Sequence, residues 1–282
     1  MTEKRFETQD GLTLGYTDAG AGFPVLCLAG LTRDARDFDA IAAHLAPRYR
    51  VLRLDSRGRG RSDWAPNPVE SYQVPVEAAD AAALLDHLGL SQVAVLGTSR
   101  GGFLGMVLAA TRPGLLTGLI LNDVGAVVEG AGMKRIANYL GRAYTAPDFD
   151  TLARQLQSAY AADFPGTDLG IWQTAARAMA HDDGGKPVLS YDPALRDAFL
   201  KDFDAENPTL DLWPLFEAVG PVPVLCLRGA NSDILSAPVA AEMAARNPAV
   251  TLTEVPDRGH VPFLDAPAAT AAIDAFLART TP

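Results

Sequence analysis

The most informative stretch of this sequence is Val93-Ala94-Val95-Leu96-Gly97-Thr98-Ser99-Arg100-Gly101-Gly102-Phe103. A continuous apolar run leads directly into Gly-x-Ser-x-Gly, and the residues that follow have a helical pattern. In a sharp strand-to-helix turn the central serine has a strained backbone, and its hydroxyl is lifted out of the sheet. The flanking glycines come close together without a Cβ clash. The stretch therefore predicts a strand, a tight turn with Ser99 at its tip, and a helix that begins beside it.

Short apolar runs alternate with helical patterns along the rest of the chain. Strands are predicted at residues 12–16, 25–29, 51–54, 93–96, 116–121, 222–227 and 250–255. Several of these runs are continuous rather than alternating, which is typical of strands buried on both faces of a parallel sheet. The alternation of strand and helix predicts an α/β fold in which helices cover both faces of that sheet.

This alternation stops between about Val124 and Gly220. The stretch has helical patterns but no convincing strand, and it holds more than half of the aromatic residues. We interpret residues 124–220 as a helical lid inserted into one core domain, which consists of residues 1–123 and 221–282. Two aromatics of this lid, together with one of the core, are candidates for an apolar substrate pocket: Tyr139, Trp172 and Trp64.

A serine hydroxyl is a weak nucleophile that needs a base, and the base needs a third group to orient it. Of the four histidines, His44 and His87 lie in helical patterns, and His181 lies in a polar stretch of the predicted lid. His260 instead follows the strand at residues 250–255 through a Pro-Asp-Arg-Gly turn. It is expected at the carboxyl end of a late strand, where ligands bind in open α/β sheets. We predict His260 as the base.

Two aspartates are candidates for the orienting acid. Asp233 follows a predicted strand and a glycine turn, and it lies between the serine and His260 in chain order, as the acid should. Asp123 ends the preceding predicted strand and is the competitor. We predict Asp233 as the acid, which would leave Asp123 free to pair with a cation such as Arg100.

Acyl transfer also needs N–H donors for a tetrahedral oxyanion. One donor is expected from the backbone of Arg100, the residue after the serine, and the other from the loop after an early strand. The segment Leu28-Ala29-Gly30-Leu31 offers that loop, and we predict the Leu31 N–H as the second donor. The Arg100 side chain could select an anionic substrate group or be buried against Asp123, and the burial is favoured.

The composition argues against several other classes of protein. The formal net charge of −10 disfavours nucleic-acid binding, and no apolar run approaches the ~18 residues that span a membrane. The N-terminus leads into no apolar stretch, so a cytoplasmic protein without a signal peptide is expected, as a monomer or homodimer. Cys27 and Cys226 are expected to be buried thiols, and neither a metal site nor a cofactor is predicted. The stretch Arg57–Asp63 begins like a dinucleotide-binding motif but lacks its third glycine.

The motifs together resemble the α/β-hydrolase superfamily, and within it the lid-bearing serine esterase and enol-lactonase-like branch. The resemblance rests on Leu28–Leu31, Asp55–Ser62, Gly97–Gly102 and Gly259–Leu264, in this order and spacing. It implies an eight-stranded, mostly parallel sheet with the lid between strands 6 and 7. Two positions depart from many relatives: Ala29 stands where they have histidine, and Arg100 stands where they have an apolar or amide residue.

The resemblance implies a hydrolase that cleaves a carboxylic ester of a small or medium-sized apolar molecule through a covalent acyl-enzyme. Two alternatives stay open at this point. The same residues could act on a lactone, an amide or a carbon–carbon bond, since the fold does not decide the substrate. The chain could also be a non-catalytic receptor for a small molecule on the same scaffold.

Overall fold

A computed structural model describes residues 2–281 of the chain. Its strands are β1 (Thr2–Glu7), β2 (Thr13–Ala19), β3 (Pro24–Leu28), β4 (Arg50–Leu54), β5 (Val93–Thr98), β6 (Leu116–Asn122), β7 (Val127–Val128), β8 (Ala180–Asp183), β9 (Lys186–Leu189), β10 (Leu210–Asp211), β11 (Val224–Gly229) and β12 (Val250–Val255). Its α-helices are α1 (Asp39–Leu45), α2 (Pro68–Ser71), α3 (Val74–His87), α4 (Arg100–Thr111), α5 (Gly130–Tyr139), α6 (Phe149–Ala159), α7 (Leu169–Met179), α8 (Leu195–Lys201), α9 (Trp213–Glu217), α10 (Ala237–Arg246) and α11 (Pro267–Thr280). A short 3-10 helix at Ala35–Phe38 precedes α1.

Eight strands form one sheet in the order β1-β2-β4-β3-β5-β6-β11-β12. The pairs β1–β2 and β2–β4 are antiparallel, and every other pair in this sheet is parallel. The prediction of an eight-stranded, mostly parallel sheet is therefore confirmed. Strand β5, which leads to Ser99, lies near the middle, with β3 on one side and β6 on the other.

The core lies on both faces of this sheet because successive residues of its strands point to opposite faces. On one face, alternate residues such as Val95 and Leu119 pack with α3, α4 and α10. On the other face, their neighbours Leu96 and Ile120 pack with α1 and α11. Because both faces are covered, polar groups of the central strands are accessible only at the strand ends.

The insert, residues 124–220, lies between β6 and β11 and contains α5 to α9. The expectation that this stretch lacks strands is wrong. Strands β8 and β9 form an antiparallel hairpin, and β7 pairs with β10. Helices α6 and α7 pack together around a separate apolar cluster, which includes Leu152, Leu156 and Trp172.

Within residues 2–281, the helices are all too short or too polar to cross a membrane.

Candidate active site

Ser99 stands at the tip of the turn between β5 and α4, with a φ of 51° in the left-handed region. Its two flanking glycines are required by close approaches. A Cβ on Gly97 would lie 2.4 Å from the carbonyl oxygen of Gly101, and a Cβ on Gly101 would lie 1.9 Å from the carbonyl oxygen of Leu28. The turn is therefore possible only with glycine at both positions, as the sequence pattern predicts.

The His260 ring connects the serine to a carboxylate. Its Nε2 lies 3.0 Å from the Ser99 Oγ, and its Nδ1 lies 2.8 Å from the Asp123 Oδ2. Each nitrogen is within hydrogen-bond distance of its partner. With Nδ1 protonated, the ring donates to Asp123 and presents a lone pair of Nε2 to the serine hydroxyl. This tautomer is the one that a general base for Ser99 requires.

The prediction of Asp233 as the orienting acid is wrong. Its Oδ1 instead accepts from the Arg135 guanidinium at 2.5 Å, and Arg135 also binds Asp163 at 2.8 Å. The reason lies in the sheet order. Asp123 follows β6, the strand directly beside β5, whereas Asp233 lies beyond the end of β11, one strand farther from the serine.

Asp123 is completely buried, and the end of β11 and the loop after it supply two of its hydrogen bonds. The Gly229 N–H donates to its Oδ1 at 2.8 Å, and the Ser232 hydroxyl donates to its Oδ2 at 2.6 Å. With the His260 ring, three groups contact this carboxylate. Burying a charge is costly unless it is hydrogen-bonded in this way. The segment that contains Asp233 therefore does not supply the acid. It binds and positions Asp123, the acid that follows the neighbouring strand β6.

The Arg100 side chain pairs with Glu77 instead of Asp123, so the predicted pairing of Arg100 with Asp123 is wrong. Its guanidinium binds the Glu77 carboxylate through Nη2 at 2.8 Å and Nε at 3.1 Å, and it donates to the Tyr72 carbonyl at 2.9 Å. Glu77 also accepts from Arg59 Nη1 at 2.9 Å. Burial alone would raise the pKa of Glu77, but the charges of Arg100 and Arg59 outweigh it and lower that pKa.

The two predicted oxyanion donors belong to segments that lie next to Ser99. Arg100 is the first residue of α4, so its N–H has no acceptor within the helix. Leu31 follows Gly30, whose missing Cβ would lie 3.7 Å from the Ser99 Cβ. The Leu31 carbonyl accepts from Arg59 Nε at 2.9 Å, which fixes the orientation of this loop.

A cavity of about 1130 Å³ lies between the core and the insert, and both Ser99 and His260 line it. Tyr139 and Trp172 also line it, so these two predicted pocket residues lie in the same cavity as the serine. The prediction for Trp64 is wrong, because this side chain is 56% exposed and does not border the cavity.

Several lining residues were not predicted. An aromatic group surrounds Trp172, which stacks on Tyr160 and meets Phe164 and Phe263 edge to face. Arg33 also lines the cavity. Its place at the carboxyl end of β3, three residues after Gly30, is a signal that could have indicated it.

The remaining histidines and both cysteines lie outside this arrangement. His44 pairs with Asp274 at 2.9 Å, His87 packs against the Phe6 ring, and His181 is exposed on β8. Burial raises the pKa of both Cys27 and Cys226 to about 12, so these thiols stay protonated and unreactive. Among residues 2–281 no three His, Cys, Asp or Glu side chains are grouped as a metal site requires.

A serine on a strand-to-helix turn, above a parallel sheet and within reach of a histidine, defines a hydrolase of the α/β class. A family model described as the alpha/beta hydrolase fold matches residues 24–267. The chain belongs to this family and is a hydrolase.

The chain is similar to two hydrolases and one esterase from bacteria. A 3-hydroxybutyrate-oligomer hydrolase of Cupriavidus necator is 38% identical over 248 residues, which cover 86% of this chain and 84% of that protein. The crystal structure of an alpha/beta hydrolase from Novosphingobium aromaticivorans is 38% identical, with a TM-score of 0.91 over 99% of this chain and 98% of that one. A thermophilic esterase from Thermogutta terrifontis is 26% identical, with a TM-score of 0.74 and complete coverage of both chains.

Proposed function

We propose that this chain is a serine hydrolase that cleaves carboxylic esters through a covalent acyl-enzyme. The observation that carries the proposal is the continuous hydrogen-bonded series from the Ser99 hydroxyl through the His260 ring to the Asp123 carboxylate. Its members have the residue types and distances that nucleophilic catalysis by serine requires.

In the first half of the reaction, the Ser99 Oγ attacks the ester carbonyl while the His260 Nε2 takes the hydroxyl proton. Asp123 holds the ring in position and stabilises the imidazolium that forms. The backbone N–H groups of Leu31 and Arg100 would donate to the tetrahedral oxyanion. Collapse of this intermediate breaks the ester C–O bond, and His260 returns its proton to the departing alcohol. The acyl group stays on Ser99.

In the second half, water takes the place of the alcohol. His260 removes a proton from the water as it attacks the acyl carbonyl, and a second oxyanion forms at the same N–H donors. Its collapse releases the acid and returns the proton to the Ser99 Oγ. The same two donors and the same base therefore serve both steps.

The substrate we propose is a small or medium-sized ester with an apolar part. Support comes from the aromatic residues that line the same cavity as Ser99 and suit apolar groups, and from a cavity volume large enough for more than one short acyl unit. The Cupriavidus necator relative is a 3-hydroxybutyrate-oligomer hydrolase, and an oligomer of a hydroxy acid is joined by ester bonds. We propose that the insert acts as a lid over this cavity.

The test is Ser99→Ala, assayed with p-nitrophenyl butyrate. We expect a loss of about 10⁴-fold or more in kcat, because removing the nucleophile of such a triad abolishes the covalent route. Ser158→Ala, at an exposed position of α6, is the matched control and should keep the rate within about twofold. Retention of most of the activity by Ser99→Ala would overturn the proposal.

A fluorophosphonate probe gives a second readout that needs no knowledge of the natural substrate. It should label the wild-type protein at Ser99 and leave Ser99→Ala unlabelled, since only an activated serine attacks phosphorus at a useful rate. A protein that is folded but unlabelled would favour the receptor alternative.

A further inference from the structure

Arg33 lies beside the nucleophile on the wall of the cavity. The position that a Cβ of Gly30 would occupy lies 3.6 Å from the Arg33 Cγ and 3.7 Å from the Ser99 Cβ. The two side chains therefore border the same small space. The Arg33 N–H donates to the Gly30 carbonyl at 3.1 Å, so a tight turn fixes this residue next to the predicted oxyanion loop.

The Arg33 guanidinium is held from one side and open on the other. Its Nε donates to the Asp37 Oδ2 at 2.7 Å. Its two Nη groups donate to no residue in the range 2–281, and the side chain is 19% exposed and lines the cavity. Four N–H donors of a planar cation are thus available on the wall of the cavity that Ser99 also lines. A pair of such donors matches the two oxygens of a carboxylate.

The charged residues that line the cavity have a positive balance, whereas the net charge of the whole chain is negative. The protein carries a net charge of −10, but the cavity is lined by four arginines and three aspartates. Two of these arginines have partners of their own: Arg36 is paired with Asp34, and the guanidinium of Arg177 lies over the Phe149 ring. Arg142 is exposed at the surface. Arg33 is the one of the four that is largely buried and has its outer donors open.

We infer that Arg33 is a specificity-determining residue that binds a carboxylate of the substrate next to the scissile ester. The preferred substrates would then be esters that carry a free acid on the alcohol part or on the acyl part. Asp37 acts as a positioning residue, because its bond to Nε aims the outer edge of the guanidinium into the cavity. This inference rests on the proposed function, since it concerns the substrate of the same serine.

The test uses two pairs of esters that differ only in charge. In the first pair the alcohol part carries the acid: 3-butyryloxybutanoate is compared with its neutral amide, 3-butyryloxybutanamide. In the second pair the acyl part carries it: monoethyl succinate is compared with ethyl succinamate. The measured quantity is the ratio of kcat/KM for acid over amide, in which any general loss of activity cancels.

We expect the wild-type ratio to favour the acid in at least one pair, and Arg33→Met to lower that ratio by about 10- to 100-fold. Arg142→Met removes a cation from the same cavity at an exposed position, and it should change the ratio by less than about threefold. An unchanged ratio in Arg33→Met would overturn the inference. An equal fall in both variants would also overturn it, because the preference would then come from the general field of the cavity.

A binding measurement keeps the inference testable if Arg33→Met does not fold. Ser99→Ala retains Arg33 and cannot turn over the ester, so calorimetry can compare monoethyl succinate with ethyl succinamate, and the butyryloxy pair likewise. Tighter binding of the acid in one pair, by about tenfold, is expected, and equal affinities in both pairs would contradict it. Failure of the proposed function is distinguishable, because wild-type protein would then hydrolyse no ester and would not react with the fluorophosphonate.

Discussion

At the scale of single residues, Asp123 shows why two aspartates at strand ends are not equivalent. Its φ of 58° lies in the left-handed region, which aspartate adopts more readily than most residues. Its own N–H donates to the Leu227 carbonyl at 2.8 Å, so the pairing of β6 with β11 continues to this position. The sequence places Asp123 and Asp233 each at the end of a strand. Only the lateral order of strands, which depends on contacts across the whole sheet, decides which carboxylate reaches His260.

Paired substitutions test this assignment. Asp123→Asn should lower kcat by about 10²- to 10⁴-fold, since an amide favours the wrong tautomer of the His260 ring. Asp233→Asn, which loses only its contact with Arg135, should keep kcat within about threefold. The assay is p-nitrophenyl butyrate hydrolysis, with circular dichroism to show that both variants are folded. A large loss of kcat in Asp233→Asn, together with little effect of Asp123→Asn, would show that Asp233 is the acid that orients His260.

At the scale of elements, the turn between β5 and α4 depends on close packing against β3. The Leu28 carbonyl occupies the space that a side chain on Gly101 would need. We expect Gly101→Ala to lower the free energy of unfolding by about 3 kcal/mol or more, because the clash is with backbone that cannot move aside. Gly170→Ala is the control, since a Cβ there meets nothing within 4 Å and the position is helical. It should be neutral or stabilising by up to about 1 kcal/mol. Urea unfolding measures both, and similar stabilities of the two variants would contradict the packing argument.

The elements that could be predicted from the sequence are those whose burial produces a recognisable pattern of apolar residues. The central strands are continuous apolar runs because helices cover both of their faces, as at Val93–Thr98. Strand β1 was not predicted, since five of its six residues are exposed and it forms the antiparallel edge of the sheet. The hairpin of β8 and β9 was missed for a similar reason. Its first strand is Ala-His-Asp-Asp, and this composition alone suggests a solvated loop.

At the scale of the whole molecule, the buried carboxylate of Glu77 connects the two segments that carry the predicted oxyanion donors. It binds the Arg100 side chain, at the start of α4. It also binds Arg59, which in turn donates to the Leu31 carbonyl. One residue of α3 therefore holds both loops through arginines, and these contacts join parts of the chain that are far apart in sequence. None of this is visible in the sequence, where Glu77 has no apolar pattern or motif to distinguish it from an exposed glutamate.

The stability of the molecule should depend on this carboxylate and on pH. Glu77→Gln leaves two cations without their common partner at a site that is 1% exposed, so we expect a loss of about 3 kcal/mol or more at pH 7. Glu242→Gln, which breaks an exposed pair with Arg246, is the control and should cost less than about 0.5 kcal/mol.

The pKa of Glu77 is lowered in the folded state, because the charges of Arg100 and Arg59 outweigh the effect of burial. Its stabilising effect is therefore complete above the ordinary glutamate value of 4.5 and is lost as the pH falls through the lowered folded pKa. Urea unfolding from pH 7 to pH 3.5 should show a constant difference between wild type and Glu77→Gln down to about pH 5, and a shrinking one below. A difference that grows on acidification would mean that Glu77 is protonated at neutral pH and that its two arginines are held by other groups.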